Sequence, residues 1–169
     1  MNVDDGMRRR LAGVALLVCD VDGTLTDGAM WYGPDGEQLK RFSTRDGHGI
    51  GRLLDAGVHL ALVTAEDSPI VTARAAKLRI DQVVLGCRDK GRAVRDLAAA
   101  LGVDGDHTAM IGDDLGDLAG FAAVGLAVAV ADAEPAVIEA AHLVTSRPGG
   151  HGAVRELADA ILEARAGPA

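Results

Sequence analysis

Short apolar runs alternate with helical patterns along almost the whole chain, and this alternation restricts the fold more than any other feature. The first run, at 15–21, reads ALLVCDV, and five later runs have a similar character. Strands of a parallel sheet are covered on both faces, so each reads as a continuous apolar segment. We therefore predict an α/β fold with a doubly wound parallel sheet. We expect one domain over residues 1–169, with a core from about 14 to 165.

Turn residues and periodicity place the individual elements. The sequence Gly33-Pro34-Asp35-Gly36 separates two short strands and predicts a β-hairpin. A short helical lead-in is expected before the first strand. The patterns predict strands at 15–21, 29–32, 37–42, 59–63, 82–85, 108–111, 126–130 and 142–145, and helices at 49–56, 68–78, 89–101, 116–124, 135–141 and 153–164.

Charge and composition exclude several classes of protein. The formal net charge is -8, which argues against nucleic acid as a partner because phosphate backbones require clustered cations. No apolar run reaches the ~18 residues of a membrane-spanning helix. The basic residues at 8–10 before an apolar stretch superficially resemble a signal peptide, but Asp20 ends that stretch without a cleavage site. We predict a cytoplasmic protein with no membrane partner, in which Cys19 and Cys87 are buried thiols.

Carboxylates cluster after two of the predicted strands. Asp20 and Asp22 follow the first strand, and Asp113, Asp114 and Asp117 follow the strand at 108–111. Carboxylates held close together repel one another, and a bound cation removes the repulsion. Oxygen ligands of this kind suit Mg²⁺. An acidic turn, or an Asp at a helix N-terminus, would explain these residues without any function.

Two further polar residues follow strands or begin helices. Thr64 comes after the strand at 59–63, where its hydroxyl could donate to a phosphoryl oxygen or cap the next helix. Lys90 lies near a helix start, where a compact cation suits a phosphate but is more often only solvated. Ligands of doubly wound sheets bind at the carboxyl ends of the strands. We therefore expect Thr64 and Lys90 to lie close to the carboxylates.

The four groups in this order resemble the motifs of the haloacid dehalogenase superfamily of phosphatases. They read DVDGT at 20–24, Thr64, Lys90 and GDDLGD at 112–117. The resemblance spans about residues 14 to 165. It implies a Rossmann-like fold with a β-hairpin insertion and no cap domain, because the intervals between motifs leave no room for one. Receiver domains of response regulators also combine acidic residues, Thr and Lys, but they place them in another order along the strands.

The resemblance implies the chemical roles of the reacting residues. Asp20 would be the nucleophile that forms an aspartyl-phosphate, and Asp22 the general acid and then the base. Lys90 would screen the repulsion between two anions. Thr64 and the backbone N–H groups around Gly23 would bind the transferring phosphoryl group.

The resemblance also implies the ligands of the metal. Mg²⁺ would be held by Asp20, by the backbone carbonyl of Asp22 and by Asp113. Asp114 and Asp117 would complete the outer shell, with Asp117 holding Lys90.

Three segments resemble one branch of that superfamily, the 3-deoxy-octulosonate 8-phosphate phosphatases. They are the hairpin, the segment RDGHGI at 45–50 and the tail RPGGHGAVRE at 147–156. The group includes nonulosonate 9-phosphate phosphatases and the C-terminal domain of animal acylneuraminate cytidylyltransferases. It implies a homotetramer whose neighbours close one another's active sites, and hairpins that pair between subunits to protect their edges. Substrate contacts would come from Arg45, Gly47, Arg147 and Gly150, although the tail could also be a flexible loop.

The residues after the strand at 59–63 bear on the substrate. The octulosonate enzymes carry Thr-Gly-Arg there, whereas this chain has Thr64-Ala65-Glu66. Arg can pair with a substrate carboxylate, while Glu accepts hydrogen bonds from hydroxyl groups. Glu66 with Arg74 and Lys77 resembles the nonulosonate 9-phosphate branch. This resemblance implies that both cations meet the sugar-acid carboxylate, in the same subunit or across a subunit interface, whereas the alternative is that they lie on the helix surface.

We therefore expect a phosphorylated nine-carbon sugar acid as the substrate. Octulosonate 8-phosphate is the alternative substrate. A non-catalytic tetramerisation module and a phosphatase of broad specificity also remain open.

Overall fold

A computed structural model describes residues 4–167, and six parallel strands form the central sheet of this part of the chain. Two further strands pair as an antiparallel hairpin. The strands are β1 (Leu16–Cys19), β2 (Trp31–Gly33), β3 (Gly36–Leu39), β4 (His59–Val63), β5 (Gln82–Val84), β6 (Thr108–Gly112), β7 (Leu126–Ala129) and β8 (Leu143–Val144). The order across the sheet is β5-β4-β1-β6-β7-β8. The predicted doubly wound parallel sheet with a hairpin insertion is confirmed.

Helices cover both faces of the sheet. They are α1 (Asp5–Gly13), α2 (Thr44–Asp55), α3 (Pro69–Leu78), α4 (Lys90–Leu101), α5 (Leu118–Phe121), α6 (Pro135–Ala140) and α7 (Ala153–Ala166). Helices α1 and α2 pack against α7, while α4 packs against α5. Because crossovers between parallel strands are right-handed and the strand order reverses at β1, these two groups lie on opposite faces.

The core consists mainly of aliphatic side chains from the sheet and from the helices that pack on it. All four residues of β1 are buried, as are all five of β6 and all four of β7. This burial on both faces explains why these strands read as unbroken apolar runs rather than as alternating patterns. Among the helices within residues 4–167, none combines the length and the apolar character that crossing a membrane requires.

Helix α2 begins five residues before its predicted start at 49, with Thr44 as its first residue. The Ser43 side chain caps the helix by accepting from the N–H of Arg45 at 3.2 Å. Three glycines between 47 and 51 conceal the helical pattern, since glycine is a poor helix former. The buried Asp46 carboxylate compensates by accepting from the N–H groups of Gly152 and Arg155 at the start of α7. The segment at 45–50 is therefore helical and is hydrogen-bonded to the start of α7.

The helix predicted at 116–124 is divided into two short pieces. A 3₁₀ turn spans Leu115–Asp117, and α5 covers only four residues. The Asp117 carboxylate turns back to accept from the N–H groups of Asp113 and Asp114, which tightens the chain at this point. The other predicted elements are present, with ends that differ by a few residues.

Candidate active site

An open cleft of about 780 Å³ lies at the carboxyl ends of the central strands. Asp20 directly follows β1, Thr64 follows β4, and Lys90 begins α4. The strand order reverses beside β1, which is the position where doubly wound sheets bind ligands. The residues lining the cleft are Asp20, Asp22, Thr64, Ala65, Glu66, Asp67, Gly86, Cys87, Arg88, Lys90, Asp114, Gly116 and Asp117.

Lys90 joins two carboxylates at the base of the cleft. Its Nζ atom lies 2.5 Å from Asp20 Oδ1 and 2.5 Å from Asp117 Oδ1. Only 9% of the Lys90 side chain is exposed, and the two aspartates are buried as well. The contact predicted between Asp117 and Lys90 is therefore present, and Lys90 also reaches the proposed nucleophile.

Burial and mutual repulsion dominate the electrostatics of this group. Burial raises the pKa of Asp20 well above its usual range, and the charges of Asp117 and Asp113 raise it further, while Lys90 opposes them. Burial favours the neutral amine of Lys90, but the two adjacent carboxylates outweigh it, so the pKa of Lys90 is raised. Burial and repulsion between the carboxylates together outweigh the stabilisation that Lys90 gives to the ionised form of Asp20.

Asp113 completes a set of carboxylates that fits a metal ion. Oxygen atoms of Asp20, Asp113 and Asp117 all lie within 4.8 Å of one another. Thr24 donates its hydroxyl to Asp113 Oδ1 at 3.0 Å, and Gly23 lies so close that a Cβ there would be 2.0 Å from Asp113 Oδ2. Burial and the charges of Asp117 and Asp114 raise the pKa of Asp113 to about 6 despite the Thr24 hydrogen bond. Hard oxygen ligands with excess negative charge suit a divalent cation.

The stability of the metal-free protein is expected to fall as the pH rises through about 6. In the unfolded chain Asp113 titrates near its ordinary pKa of about 3.9. The folded protein holds this proton more tightly, so the stabilisation is complete below the unfolded pKa and is lost as the pH rises through the folded pKa. Thermal unfolding in a chelating buffer between pH 4.5 and 7.5 measures this loss.

Asp113→Asn is the control variant for this pH dependence. It removes the Asp113 carboxyl group, while all other titrating groups are present in both proteins. We expect the melting temperature of the wild type to fall more steeply with pH than that of Asp113→Asn. A divalent metal should raise the wild-type melting temperature more at pH 7.5 than at pH 5.5, since protons compete for the same oxygens. Parallel slopes for the two proteins would contradict the raised pKa.

Both oxygens of Asp22 are held by contacts from other elements. Oδ1 lies 2.5 Å from Nζ of Lys40, just after β3, and Oδ2 accepts from the Thr64 hydroxyl at 3.2 Å. Lys40 Nζ also lies 2.6 Å from Glu37 Oε1, and Ser68 donates to the other Glu37 oxygen at 2.7 Å. Burial alone would lower the pKa of Lys40, but these carboxylates raise it. No signal in the sequence indicated these contacts, since a Lys and a Glu in a hairpin are usually solvated.

Asp114 caps the 3₁₀ turn that presents the acidic cluster. Its side chain accepts from the N–H of Leu115 at 2.7 Å and remains exposed. The N–H of Gly23 donates to the Thr26 hydroxyl oxygen at 3.2 Å, so this N–H group, predicted to bind phosphate, already has a partner. Gly23 has φ +92°, a conformation that favours glycine. Its absent side chain is what allows Asp113 to approach.

Three further residues line the mouth of the cleft. Glu66 is exposed there, as its position after Thr64 predicts. Arg88 is exposed in the same cleft and supplies a cation that sequence analysis did not single out. The prediction that Cys87 is a buried thiol is wrong, since Cys87 is partly exposed in the cleft while Cys19 is buried. The reason is that Gly86, at φ +61°, turns the chain after β5 towards the strand ends.

Arg74 and Lys77 do not reach the cleft in a single chain. Arg74 donates to the carbonyl of Ser43 at 3.2 Å, and its guanidinium lies 5.4 Å from the centre of the Phe42 ring. Burial lowers the pKa of Arg74. Gly47 lies against Arg74 so closely that a Cβ at this position would be 2.6 Å from Arg74 Nη2. Arg74 thus joins α3 to the start of α2, and Lys77 is exposed on α3.

The tail at 147–156 packs against its own chain rather than forming a flexible loop. Gly150 donates its N–H to the carbonyl of Thr24 at 2.9 Å, and a Cβ on Gly149 would lie 1.7 Å from the Gly23 carbonyl oxygen. These glycines are needed because two backbones approach closely here. The tail therefore supports the loop that follows Asp20.

Arg45, Gly150 and Arg147 lie outside the cleft of their own chain. Arg45 and Gly150 line a separate, smaller depression beside the hairpin. Arg147 is exposed in a groove between α1 and α7 on a surface away from the cleft. None of these three residues lines the cleft of its own chain, because the tail folds back on the loop after β1, and their contact with substrate stays a prediction.

Comparisons with known proteins agree with the fold and identify the family. Residues 83–157 match the family model described as haloacid dehalogenase-like hydrolase. The chain is 44% identical over 163 residues to the 3-deoxy-D-manno-octulosonate 8-phosphate phosphatase of Yersinia pestis, covering 96% of this chain and 87% of that one. The cobalt-bound structure of the Haemophilus influenzae deoxy-D-mannose-octulosonate 8-phosphate phosphatase is 44% identical, with a TM-score of 0.92 over 93% of this chain and 92% of that one. The Moraxella catarrhalis phosphatase, in complex with magnesium, phosphate and KDO, is 34% identical, with a TM-score of 0.93 over 97% and 94% of the two chains.

Proposed function

The chain belongs to the haloacid dehalogenase-like hydrolases of the octulosonate 8-phosphate phosphatase type, and from this membership we propose that Asp20 and Asp22 perform its phosphomonoesterase reaction on a phosphorylated 3-deoxy sugar acid. The observation that carries this proposal is the Asp20–Lys90–Asp117 group at the floor of the cleft, beside Asp22 and Thr64. It combines a buried carboxylate, a cation and a second carboxylate at one edge of the sheet. These are the groups that phosphoryl transfer through an acyl phosphate requires.

In the first half of the reaction an oxygen of Asp20 attacks phosphorus, and the bond from phosphorus to the sugar oxygen breaks. The protonated carboxyl group of Asp22 gives its proton to that leaving oxygen, so the sugar acid departs as an alcohol. Lys90, 2.5 Å from Asp20, balances charge as two anions come together. The Thr64 hydroxyl donates to Asp22 in the structure, and it would turn to a phosphoryl oxygen when the substrate binds.

In the second half Asp22 is a carboxylate and takes a proton from a water molecule. That water attacks the phosphorus of the aspartyl-phosphate, the bond to Asp20 breaks, and inorganic phosphate is released. The same carboxyl group therefore acts first as acid and then as base. Its place at the edge of the cleft, with 24% of the side chain exposed, allows it to reach both the sugar oxygen and water.

Haloacid dehalogenase phosphatases use a divalent metal, and we propose Mg²⁺ for this chain. Asp20 and Asp113, with the backbone carbonyl of Asp22, would hold the ion. Asp117 lies close enough to join them, but Lys90 and two backbone N–H groups already occupy its oxygens, so it would support the set from outside, as would Asp114. When bound, the metal supplies positive charge that stabilises the phosphoryl oxygens. The excess negative charge around Asp20 and the raised pKa of Asp113 support this assignment.

Two substrates remain, and separate observations support each. Octulosonate 8-phosphate is our first candidate, because the relatives that cover almost the whole chain carry that name. A nonulosonate 9-phosphate, favoured from the sequence, is the second. It rests on Glu66, which lines the cleft of this chain where the octulosonate enzymes carry an arginine. The inward orientation of Arg74 weakens the nine-carbon reading for a single chain.

Phosphate release from a panel of substrates tests the proposal. The panel contains 3-deoxy-D-manno-octulosonate 8-phosphate, 2-keto-3-deoxynononate 9-phosphate, N-acetylneuraminate 9-phosphate and glucose 6-phosphate. We expect kcat/KM to be highest for the octulosonate, and preference for a nine-carbon acid would favour the second candidate. Equal rates on glucose 6-phosphate would indicate broad specificity. No activity on any of them would contradict the proposal and favour a tetramerisation module.

Glu66→Arg shows whether Glu66 influences this choice. If Glu66 disfavours the octulosonate carboxylate, the variant should shift the kcat/KM ratio towards octulosonate by about tenfold, the effect of one charge-assisted hydrogen bond. Asp67→Arg makes the same change of charge at the next residue of the cleft and should leave the ratio unchanged. Equal shifts in both variants would show a general charge effect.

We propose a homotetramer in which neighbouring chains complete the site. Met30, Trp31, Tyr32 and Leu39 of the hairpin region are exposed, with Trp31 at 58% and Tyr32 at 64%. Four large apolar side chains exposed within one hairpin region favour an interface there. Sedimentation velocity at assay concentration tests the assembly, and a fully active monomer would contradict it.

A further inference from the structure

Lys40 is a buried cation outside the recognised motifs, and it contacts the residue proposed to transfer the proton. Only 1% of its side chain is exposed, and its Nζ lies 2.5 Å from Asp22 Oδ1. A lysine buried in this way must have anionic partners, because an unpaired buried ammonium is costly. Lys40 has two such partners, Asp22 and Glu37.

The second partner fixes Lys40 to the body of the protein. Glu37 lies on β3, three residues before Lys40, and accepts from the Ser68 hydroxyl at 2.7 Å. Ser68 is buried at the N-terminus of α3. The hairpin is therefore joined to two strand ends, through Asp22 after β1 and through Ser68 after β4. Lys40 connects these two attachments, because its ammonium group contacts both Asp22 and Glu37.

The contacts around Asp22 determine its orientation. Lys40 holds one carboxylate oxygen, and the Thr64 hydroxyl holds the other at 3.2 Å. A group that must give a proton to one atom and later take one from water depends on being placed within a fraction of an ångström. Without Lys40, only the 3.2 Å hydrogen bond from the Thr64 hydroxyl would hold the Asp22 carboxylate.

We propose that Lys40 is a positioning residue for the phosphatase reaction, orienting Asp22 for proton transfer to the leaving oxygen. This inference rests on the proposed role of Asp22. Lys40 acts through Asp22, without contacting phosphorus. Removing Lys40 should therefore slow the reaction most for substrates whose leaving group needs a proton.

Lys40→Met tests this dependence, because methionine keeps the apolar stem and removes the charge. For a sugar-acid phosphate, whose alkoxide must be protonated, we expect kcat/KM to fall about 10- to 100-fold with KM nearly unchanged. For para-nitrophenyl phosphate, whose phenolate leaves without a proton, the loss in kcat/KM should be less than about threefold. Lys40→Arg should restore part of the activity on the sugar-acid phosphate.

Matched variants separate positioning from stability and from substrate binding. Gln38→Met changes an exposed residue of β3, two positions before Lys40, and should keep wild-type kinetics. Glu37→Gln loosens Lys40 without removing it, and should show a smaller loss with the same dependence on leaving group. If Lys40→Met does not fold, Glu37→Gln takes its place in the test. Equal losses on both substrates, or a tenfold rise in KM alone, would overturn the proposal.

Asp22→Asn distinguishes failure of this inference from failure of the proposed function. If Asp22 is the proton donor, Asp22→Asn loses far more kcat/KM on the sugar-acid phosphate than on para-nitrophenyl phosphate, because kcat/KM reports formation of the aspartyl-phosphate and not its later hydrolysis. Lys40→Met combined with Asp22→Asn should then be no slower than Asp22→Asn alone, because the two residues act as one unit. Additive losses would overturn the role of Lys40, whereas equal losses of Asp22→Asn on both substrates would overturn the role of Asp22.

Discussion

Asp20→Asn is expected to abolish phosphate release, with a loss of about 10⁴-fold or more in kcat, because the amide cannot act as the nucleophile. Asp20 directly follows β1 and is 4% exposed, and the Nζ atom of Lys90 lies 2.5 Å from its Oδ1. Asparagine has nearly the same shape, so the packing around it is preserved. Quenching the wild-type enzyme in acid during turnover should leave phosphate bound to the protein, and the variant should carry none.

The fold of Asp20→Asn should remain intact, and its stability in metal-free buffer should not fall. The pKa of Asp20 is raised by burial and by neighbouring carboxylates, so the ionised group costs stability at neutral pH. Removing one charge from the group of Asp20, Asp113 and Asp117 relieves repulsion. Asp96→Asn, an exposed position on α4, is the control for the same chemical change and should keep full activity. Turnover within tenfold of wild type, with the asparagine confirmed by mass spectrometry, would exclude Asp20 as the nucleophile.

Lys90→Met should have the second largest effect, lowering kcat/KM by about 10³-fold, as the loss of a positioned charge in a buried site does. It should also destabilise the metal-free protein at pH 7.5 by about 3 to 5 kcal/mol, the range for breaking a buried ion pair. Asp20 and Asp117 would be left buried with no cation between them. Urea unfolding in chelating buffer and steady-state kinetics measure the two effects.

A second substitution separates charge balance from catalysis. Lys90→Met combined with Asp117→Asn should recover much of the lost stability, since one unpaired carboxylate is removed, while activity stays low. Arg92→Met, an exposed position two residues further along α4, should change stability by less than about 0.5 kcal/mol. Full activity of Lys90→Met with normal stability would show that the contacts of Lys90 are dispensable.

The sequence by itself predicted the sheet, the order of its polar strand ends and the carboxylates of the cleft. Strands such as β1 and β6 are buried along their whole length, so their apolar runs are a local signal that needs no knowledge of the fold. Asp20, Thr64 and Asp113 directly follow such runs. Because parallel strands end at the same edge of the sheet, local patterns alone brought them together.

Only the tertiary structure showed which side chains hold these residues in place. Lys40 meets Asp22 across 18 positions of the chain, Asp46 meets Arg155 across 109, and Arg74 turns inward to Ser43 across 31. No periodic pattern marks such pairs, since each depends on where two distant segments meet. The glycines of α2 and of the tail likewise looked like loop residues, because the close approach that requires them arises only in the folded chain. The physical reason is that hydrophobic periodicity records whether a residue is buried, whereas its partner is fixed by the packing of the whole molecule.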